Sequence, residues 1–292
     1  MFFKIGRLGK KKEVKPIPEP VSTPLIRTRR RYKTNYSPAV SNQRESPRFR
    51  SQRKEEIGIY KLEVELAHLP CCFKRLSNLL CKSDQGYIRI DHLIVSPYGL
   101  FIVKANNLAG MIVGEETAAN WYQAITWRVK AFPNPLQENQ SSIQFLKERL
   151  SLKEDIPFFS YVTFNRRCDL KIVSASVFYD IDAHAAIFKL TQSLPVLLNE
   201  TEVLELYDQL IQLNITDLNI RNEYSARVRR QRMSKRPQFG DIRCSTCQRP
   251  VSERVARHCL AHPKKFDWQI YCAKHQKEIT RLLNPNNAYP RN

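Results

Sequence analysis

The middle of this chain predicts a mixed α/β fold. Three observations carry that prediction: an apolar run at helical spacing, a close pair of apolar strands around a tight turn, and a later alternation of helix and strand. From Glu55 to Leu69, the residues Ile59, Leu62, Leu66 and Leu69 recur at helical spacing, and Pro70 stops the helix. Residues 71–80, CCFKRLSNLL, read as a strand that ends in a polar turn through Ser83, Asp84 and Gly86. Residues 87–96 carry Ile88, Ile90, Leu93, Ile94 and Val95; after Pro97-Tyr98-Gly99 a second strand, 100–105, completes a hairpin. Met111 to Val113 add a short strand, and Pro135 opens a helix to about Leu150 with Ile143, Leu146 and Leu150 on one face. FFSYVTF (158–164) is a further strand, 173–179 a weaker one, and 200–213 an amphipathic helix.

Composition bounds the function classes. Of the 292 residues 42% are hydrophobic and 10% aromatic, enough for a real core, so wholesale disorder is excluded. No apolar run of about 18 residues is present, so no transmembrane segment is expected. The opening MFFKIGRLGKKK has too broken an apolar stretch for a secretory signal, and a cytoplasmic location is expected. Eight cysteines in this length do not make a disulfide scaffold; their spacing favours metal ligation and buried thiols.

The formal charge of +20 is unevenly spread. Residues 1–56 hold 16 basic and 5 acidic side chains, residues 221–292 hold 17 and 5, and residues 57–220 hold 15 and 18. A near-neutral globular middle is thus expected between two basic flanks. Six prolines and the runs Lys10-Lys11-Lys12 and Arg29-Arg30-Arg31 predict a disordered basic arm over 1–55. Tyr32, Tyr36 and Phe49 among the arginines suit phosphate pairing and base stacking, so DNA or RNA is the expected partner. An acidic protein or an anionic membrane surface is the alternative.

The residues of the middle segment are more specific. GYIRIDHLIVSPYGLFIVKANNLAG (86–110), NPLQ (134–137), Trp121 and FFSYVTFNRRCDLK (158–171) resemble the nuclease-related domain family, NERD, over roughly 56–200. The resemblance implies a PD-(D/E)XK restriction-endonuclease-like mixed sheet flanked by helices. Active members would join a helix Glu, a strand Asp and a Glu-x-Lys on the next strand. Carboxylates there hold a divalent cation that activates water and neutralises the developing charge on phosphorus. In this chain Asp91 matches the strand Asp, but Lys104 stands at the Glu position and Asn106 at the Lys position. Ile59 follows Gly58 where the family has Glu, and Arg89 replaces a common Gln.

Lys104 and Arg89 beside Asp91 would occupy the metal's place, so Mg2+ is not expected and the domain reads as a pseudo-nuclease. Glu63 and Glu65 fall on other helix faces, and a migrated carboxylate such as Glu115 or Glu116 would be needed for rescue. A satisfied Asp91–Lys104 ion pair is preferred over a phosphate groove. The competing function is a metal-dependent nuclease with a rearranged site.

The C-terminal part carries a separate signal. Cys244-x2-Cys247 and Cys272-x2-His275, 24 residues apart, predict two knuckles holding structural Zn2+ in a ribbon-like module over 240–280. Cys259 is an alternative ligand or, preferably, a buried thiol under Phe266 and Trp268. Cys71, Cys72, Cys81 and Cys168 are expected to be buried thiols. A helical connector over 201–236 presents Arg227, Arg229, Arg230, Arg232, Lys235 and Arg236 as a basic stripe able to follow phosphates.

Overall fold

The computed structural model describes residues 47–126, 128–150, 152–153, 155–234 and 242–283, with side chains from residue 56 onward except 232–234. Arg29, Arg30, Arg31, Lys235, Arg236 and the side chain of Arg232 lie outside the described residues. The order is α1 (Pro47–Leu66), β1 (Lys74–Ser83), β2 (Gly86–Ser96), β3 (Gly99–Asn106), β4 (Gly110–Val113), β5 (Asn120–Ile125), β6 (Arg128–Pro133), α2 (Pro135–Arg149), β7 (Phe158–Phe164), β8 (Cys168–Lys171) and β9 (Val177–Tyr179). A 3-10 turn leads to α3 (Ala183–Thr191), α4 (Glu200–Leu213), α5 (Leu218–Ser234), α6 (Glu253–Ala261), α7 (Pro263–Phe266) and α8 (Ala273–Leu283).

Five strands form a mixed sheet in the order β1-β2-β3-β7-β9. The first three are antiparallel, and β7 joins β3 in parallel through the α2 crossover. Ile90 to Ser96 of β2 are buried without a break, as a strand covered on both faces requires. Along β3 the alternation is explicit. Leu100 and Ile102 pack with Ile143, Leu146 and Leu150 of the α2 segment and with Val203, Leu206 and Leu210 of α4. Phe101, Val103 and Ala105 pack with Ile59, Leu62 and Leu66 of α1 and with Ala183 and Ile187 of α3. Each buried Val, Leu, Ile or Phe among these contributes about 1.5–3 kcal/mol of transfer free energy. Gly99 is required at the hairpin turn: its φ is +129°, and a Cβ there would lie 2.6 Å from the Pro157 carbonyl oxygen at the entry to β7.

The NPLQ motif has a local reason. Asn134 caps α2, accepting from Leu136 N at 2.9 Å, while its Nδ2 donates to the carbonyls of Glu116 and Ala118 at 2.8 Å each. Pro135 at the first helical position needs no N–H partner. One buried amide thus starts the helix and fastens the preceding loop.

A second sheet, β6-β5-β4-β8, was not legible as such. One face, Ile112, Trp121, Phe132 and Leu170, packs on Val162, Phe164 and Val177 of the main sheet. The other, Val113 and Val129 with Met111, Tyr122 and Ala124, packs on Ile242, Val251, Ala256, Leu260 and Ile270 of the C-terminal segment.

Several expectations need correction. α1 begins at Pro47, before the predicted Glu55, because its first half is polar and gives no apolar period. The strand predicted from residue 71 starts at Lys74, leaving Cys71 and Cys72 exposed in the turn; Cys81 and Cys168 are buried as expected. Only Val177–Tyr179 of the 173–179 stretch is strand, and Val173 is fully exposed. The expected ribbon is instead a knuckle with three helices, whose strand-like pairing in the described residues is one bridge, Arg243–Pro250. Among the described residues no helix is long and apolar enough to cross a membrane.

Candidate functional site

Asp91 is 2% exposed on β2. Opposite it lies Asn78, at φ +54°, between the pairs Ser77–His92 and Leu79–Ile90. Leu76 and Leu79 pack in the same core although three residues apart, as do Ile90 and Leu93, so both strands change facing at this point. The β2–β3 ladder ends at His92–Val103, and beyond it the Asp91 carboxylate accepts from Ala105 N at 3.1 Å. The side chain takes over where the backbone pairing stops.

Around Asp91 the structure assembles four charges. Arg89 lies 3.2 Å from Asp91 Oδ1, and the Lys104 ammonium lies 3.9 Å from Asp91 Oδ2. The ammonium also lies 3.1 Å from Glu138 Oε2, which reaches over from the first turn of α2. Burial alone would lower the Lys104 pKa, but Asp91 and Glu138 outweigh it and hold the ammonium charged. Two cations face two carboxylates, so the cluster is formally neutral.

Sequence reasoning missed Glu138. Its signal was an acidic residue in the first turn of a helix that starts beside β3. Glu115 does not reach the cluster as the rescue idea supposed: its carboxylate accepts from Gln269 Nε2, and Glu116 is exposed. Ile59 is buried in the α1-side core with Val103 and Ala105 and brings no carboxylate. Asn106 stays out of the ion cluster, and its Nδ2 is buried without a hydrogen-bond partner. Beside Asp91, His92 is buried against Ser77 Oγ at 3.1 Å, and burial lowers its pKa to about 4.

A second group gathers Cys244, Cys247, Cys272 and His275, whose ligand atoms all lie within 4.8 Å of one another. Gln248, at φ +57°, closes the knuckle after Cys247, and Gln248 N donates to the Cys244 carbonyl at 2.9 Å. Asp267 and Trp268, both left-handed, turn the chain so that Ile270 O accepts from Ser245 N and Cys272 reaches the head of α8. His275 then sits in the first turn of that helix.

Distances of 3.4 Å (Cys244 Sγ to His275 Nδ1), 3.2 Å (Cys272 Sγ to His275 Nδ1) and 3.9 Å (Cys247 Sγ to Cys272 Sγ) define the set. Tetrahedral coordination with metal–sulfur arms of about 2.3 Å places ligand atoms about 3.8 Å apart, so these four residues can hold a metal ion. His275 Nε2 faces Glu278 at 3.6 Å, the carboxylate that such a ligand uses to fix its tautomer. Burial would raise the Cys244 pKa; backbone N–H groups of Cys272, Cys247 and Thr246, with His275, outweigh it and bring it to about 6.

Cys259 lies outside that group of four. It is buried, accepting from Tyr271 N at 3.3 Å and Gln276 Nε2 at 3.1 Å. The C-terminal segment is fastened to the second sheet by Glu253, which accepts from Val129 N at 2.6 Å, and by Lys171 over the Trp268 ring at 5.0 Å.

Of the arginine stripe, Arg227 packs over the Tyr87 ring at 5.7 Å, and a Cβ on Gly86 would lie 3.2 Å from its guanidinium. Arg229 Nε donates to the Ser225 carbonyl at 3.2 Å, and Arg230 is exposed. One residue of the stripe therefore holds α5 to the β1–β2 hairpin.

The nuclease-related domain (NERD) family model matches residues 51–165, a span that contains Arg89, Asp91, Lys104 and Glu138. An uncharacterized protein of Bacillus anthracis is 30% identical over 161 residues, covering 53% of this chain and 74% of that protein. No solved structure matches the chain. The hairpin bearing Asp91 and Lys104, the helix bearing Glu138 and the parallel return strand all fall inside the matched span, and the chain belongs to the nuclease-related domain family.

Proposed function

We propose that this protein binds nucleic acid through phosphate contacts and that its nuclease-related domain is catalytically silent. One observation carries the reading: the Lys104 ammonium lies between Asp91 and Glu138, where a metal shared by two carboxylates would sit. At about 4 Å and an effective dielectric of about 20, each like-charge contact with an incoming cation costs about 4 kcal/mol per unit charge. Mg2+ would have to expel the ammonium first. The antiparallel hairpin joined through a helix to a parallel strand supports the PD-(D/E)XK reading of the fold.

Cys244, Cys247, Cys272 and His275 would hold Zn2+ as a closed structural site, since four thiolate and imidazole donors leave no open position. The basic flanks and the exposed Arg230 supply the charge for binding. In an anisotropy titration with labelled duplex and single-stranded DNA, affinity falls by orders of magnitude between about 50 and 200 mM salt if several phosphates are contacted. No binding at low salt rejects the reading and turns attention to an acidic protein or an anionic membrane.

Glu138 favours a second reading, a metal-dependent nuclease with a rearranged site, because it supplies the second carboxylate that the sequence lacked. Cleavage that needs Mg2+ or Mn2+ and disappears in Asp91→Ala would establish it.

A further inference from the structure

We propose that Glu65, His68 and His184 form a second transition-metal site, separate from the Cys/His centre and open to exchangeable ligands. Glu65 lies in the last turn of α1 and His68 three residues on, so the Glu-x2-His spacing puts both on one side of the chain as it leaves the helix. His184 is the second residue of α3. The two elements are held together by a shared core in which Leu62, Leu66 and Leu69 meet Ala183 and Ile187.

One ligand atom from each of the three residues lies within 4.8 Å of the others. The imidazole rings are 5.2 Å apart, and His184 Nδ1 is 3.8 Å from Glu65 Oε2. That separation is too long for a hydrogen bond, and His184 Nδ1 is buried with no hydrogen-bond partner. His68 Nδ1 lies 3.0 Å from the Glu65 carbonyl; donating there leaves the Nε2 lone pair for a metal. A ligating histidine uses the same tautomer lock elsewhere.

Metal arms of about 2.0–2.2 Å put neighbouring ligand atoms about 3.3 Å apart, so small side-chain rotations close the set on an ion. Two imidazoles and one carboxylate suit Zn2+, Co2+ or Ni2+ and disfavour Mg2+ and Ca2+. With His68 exposed and Glu65 and His184 half-buried, three protein ligands leave positions for water or an outside ligand.

Cobalt titration of the full metal-free chain separates the two centres by their spectra. The first equivalent gives thiolate charge-transfer and strong tetrahedral visible bands from the Cys/His centre. The proposal expects a second equivalent with weak visible bands and no added thiolate charge-transfer. His184→Ala and His68→Ala weaken this second event by about tenfold or more and leave the first intact. His258→Ala, at the separate His258–His262 ring pair, leaves both events unchanged. Saturation at one equivalent overturns the proposal. So does a second event that survives both variants or is lost in His258→Ala.

Discussion

Lys104 is tied to two acidic side chains that would otherwise repel each other across the end of the β2–β3 hairpin. Its removal leaves Asp91 buried with Arg89 as its charged partner, so Lys104→Met is expected to cost about 1–3 kcal/mol, read as a fall in melting temperature. His92 gives a pH prediction whose sign is fixed. Its folded pKa of about 4 lies below the free value of about 6.5, so the unfolded chain binds the extra proton between those limits. Stability from this group is present above pH 6.5 and is lost as pH falls towards 4, by about 3 kcal/mol in all. Replacing His92 with Gln should flatten that part of the pH–stability curve; an unchanged slope would assign it to other groups. Asp91, Lys104 and Asn106 could be placed by motif alignment, whereas Glu138 could not. It sits on a different element, and only the α2 crossover brings it to β3.

At the level of elements, periodicity found α1, the β2–β3 hairpin, α2, β7 and α4, because each buries a continuous apolar stripe or strand. It missed β5 and β6, which are short and bury one face on the C-terminal segment, a partner far away in sequence, and β8, a four-residue strand packed on the main sheet. It also missed α3, a single short helix between polar turns. In the C-terminal segment the paired x2 spacing predicts the candidate ligands but does not fix the backbone between them, which folds as helices. Asn134 is the element-scale test of the NPLQ motif. Asn134→Ala removes the cap and leaves the Glu116 and Ala118 carbonyls without that donor, for an expected loss of about 1–3 kcal/mol by urea unfolding. A near-neutral effect would mean that water replaces it.

Across the whole molecule, the second sheet stands between the nuclease-related sheet and the Cys/His centre. About 50 residues rarely build a core alone, and here the module completes its core with Val113, Val129 and Tyr122. Stripping the proposed Zn2+ should therefore be felt beyond the four Cys/His residues: hydrogen exchange at β4–β6 amides should rise along with exchange at α6 and α8. Exchange confined to 242–283 would make the module an independent appendage.

If Lys104 fills the place that a nuclease metal would take between Asp91 and Glu138, thermal melting with and without Mg2+ reads it out. Mg2+ is the suitable probe because the histidine-rich cluster does not favour it. Wild-type protein, zinc-loaded, should melt at the same temperature with or without Mg2+, while Lys104→Ala should gain stability from it through Asp91 and Glu138, by about 1.4 kcal/mol at tenfold excess over Kd. Equal stabilisation of the wild type would contradict the claim and return the domain to the metal-dependent nucleases.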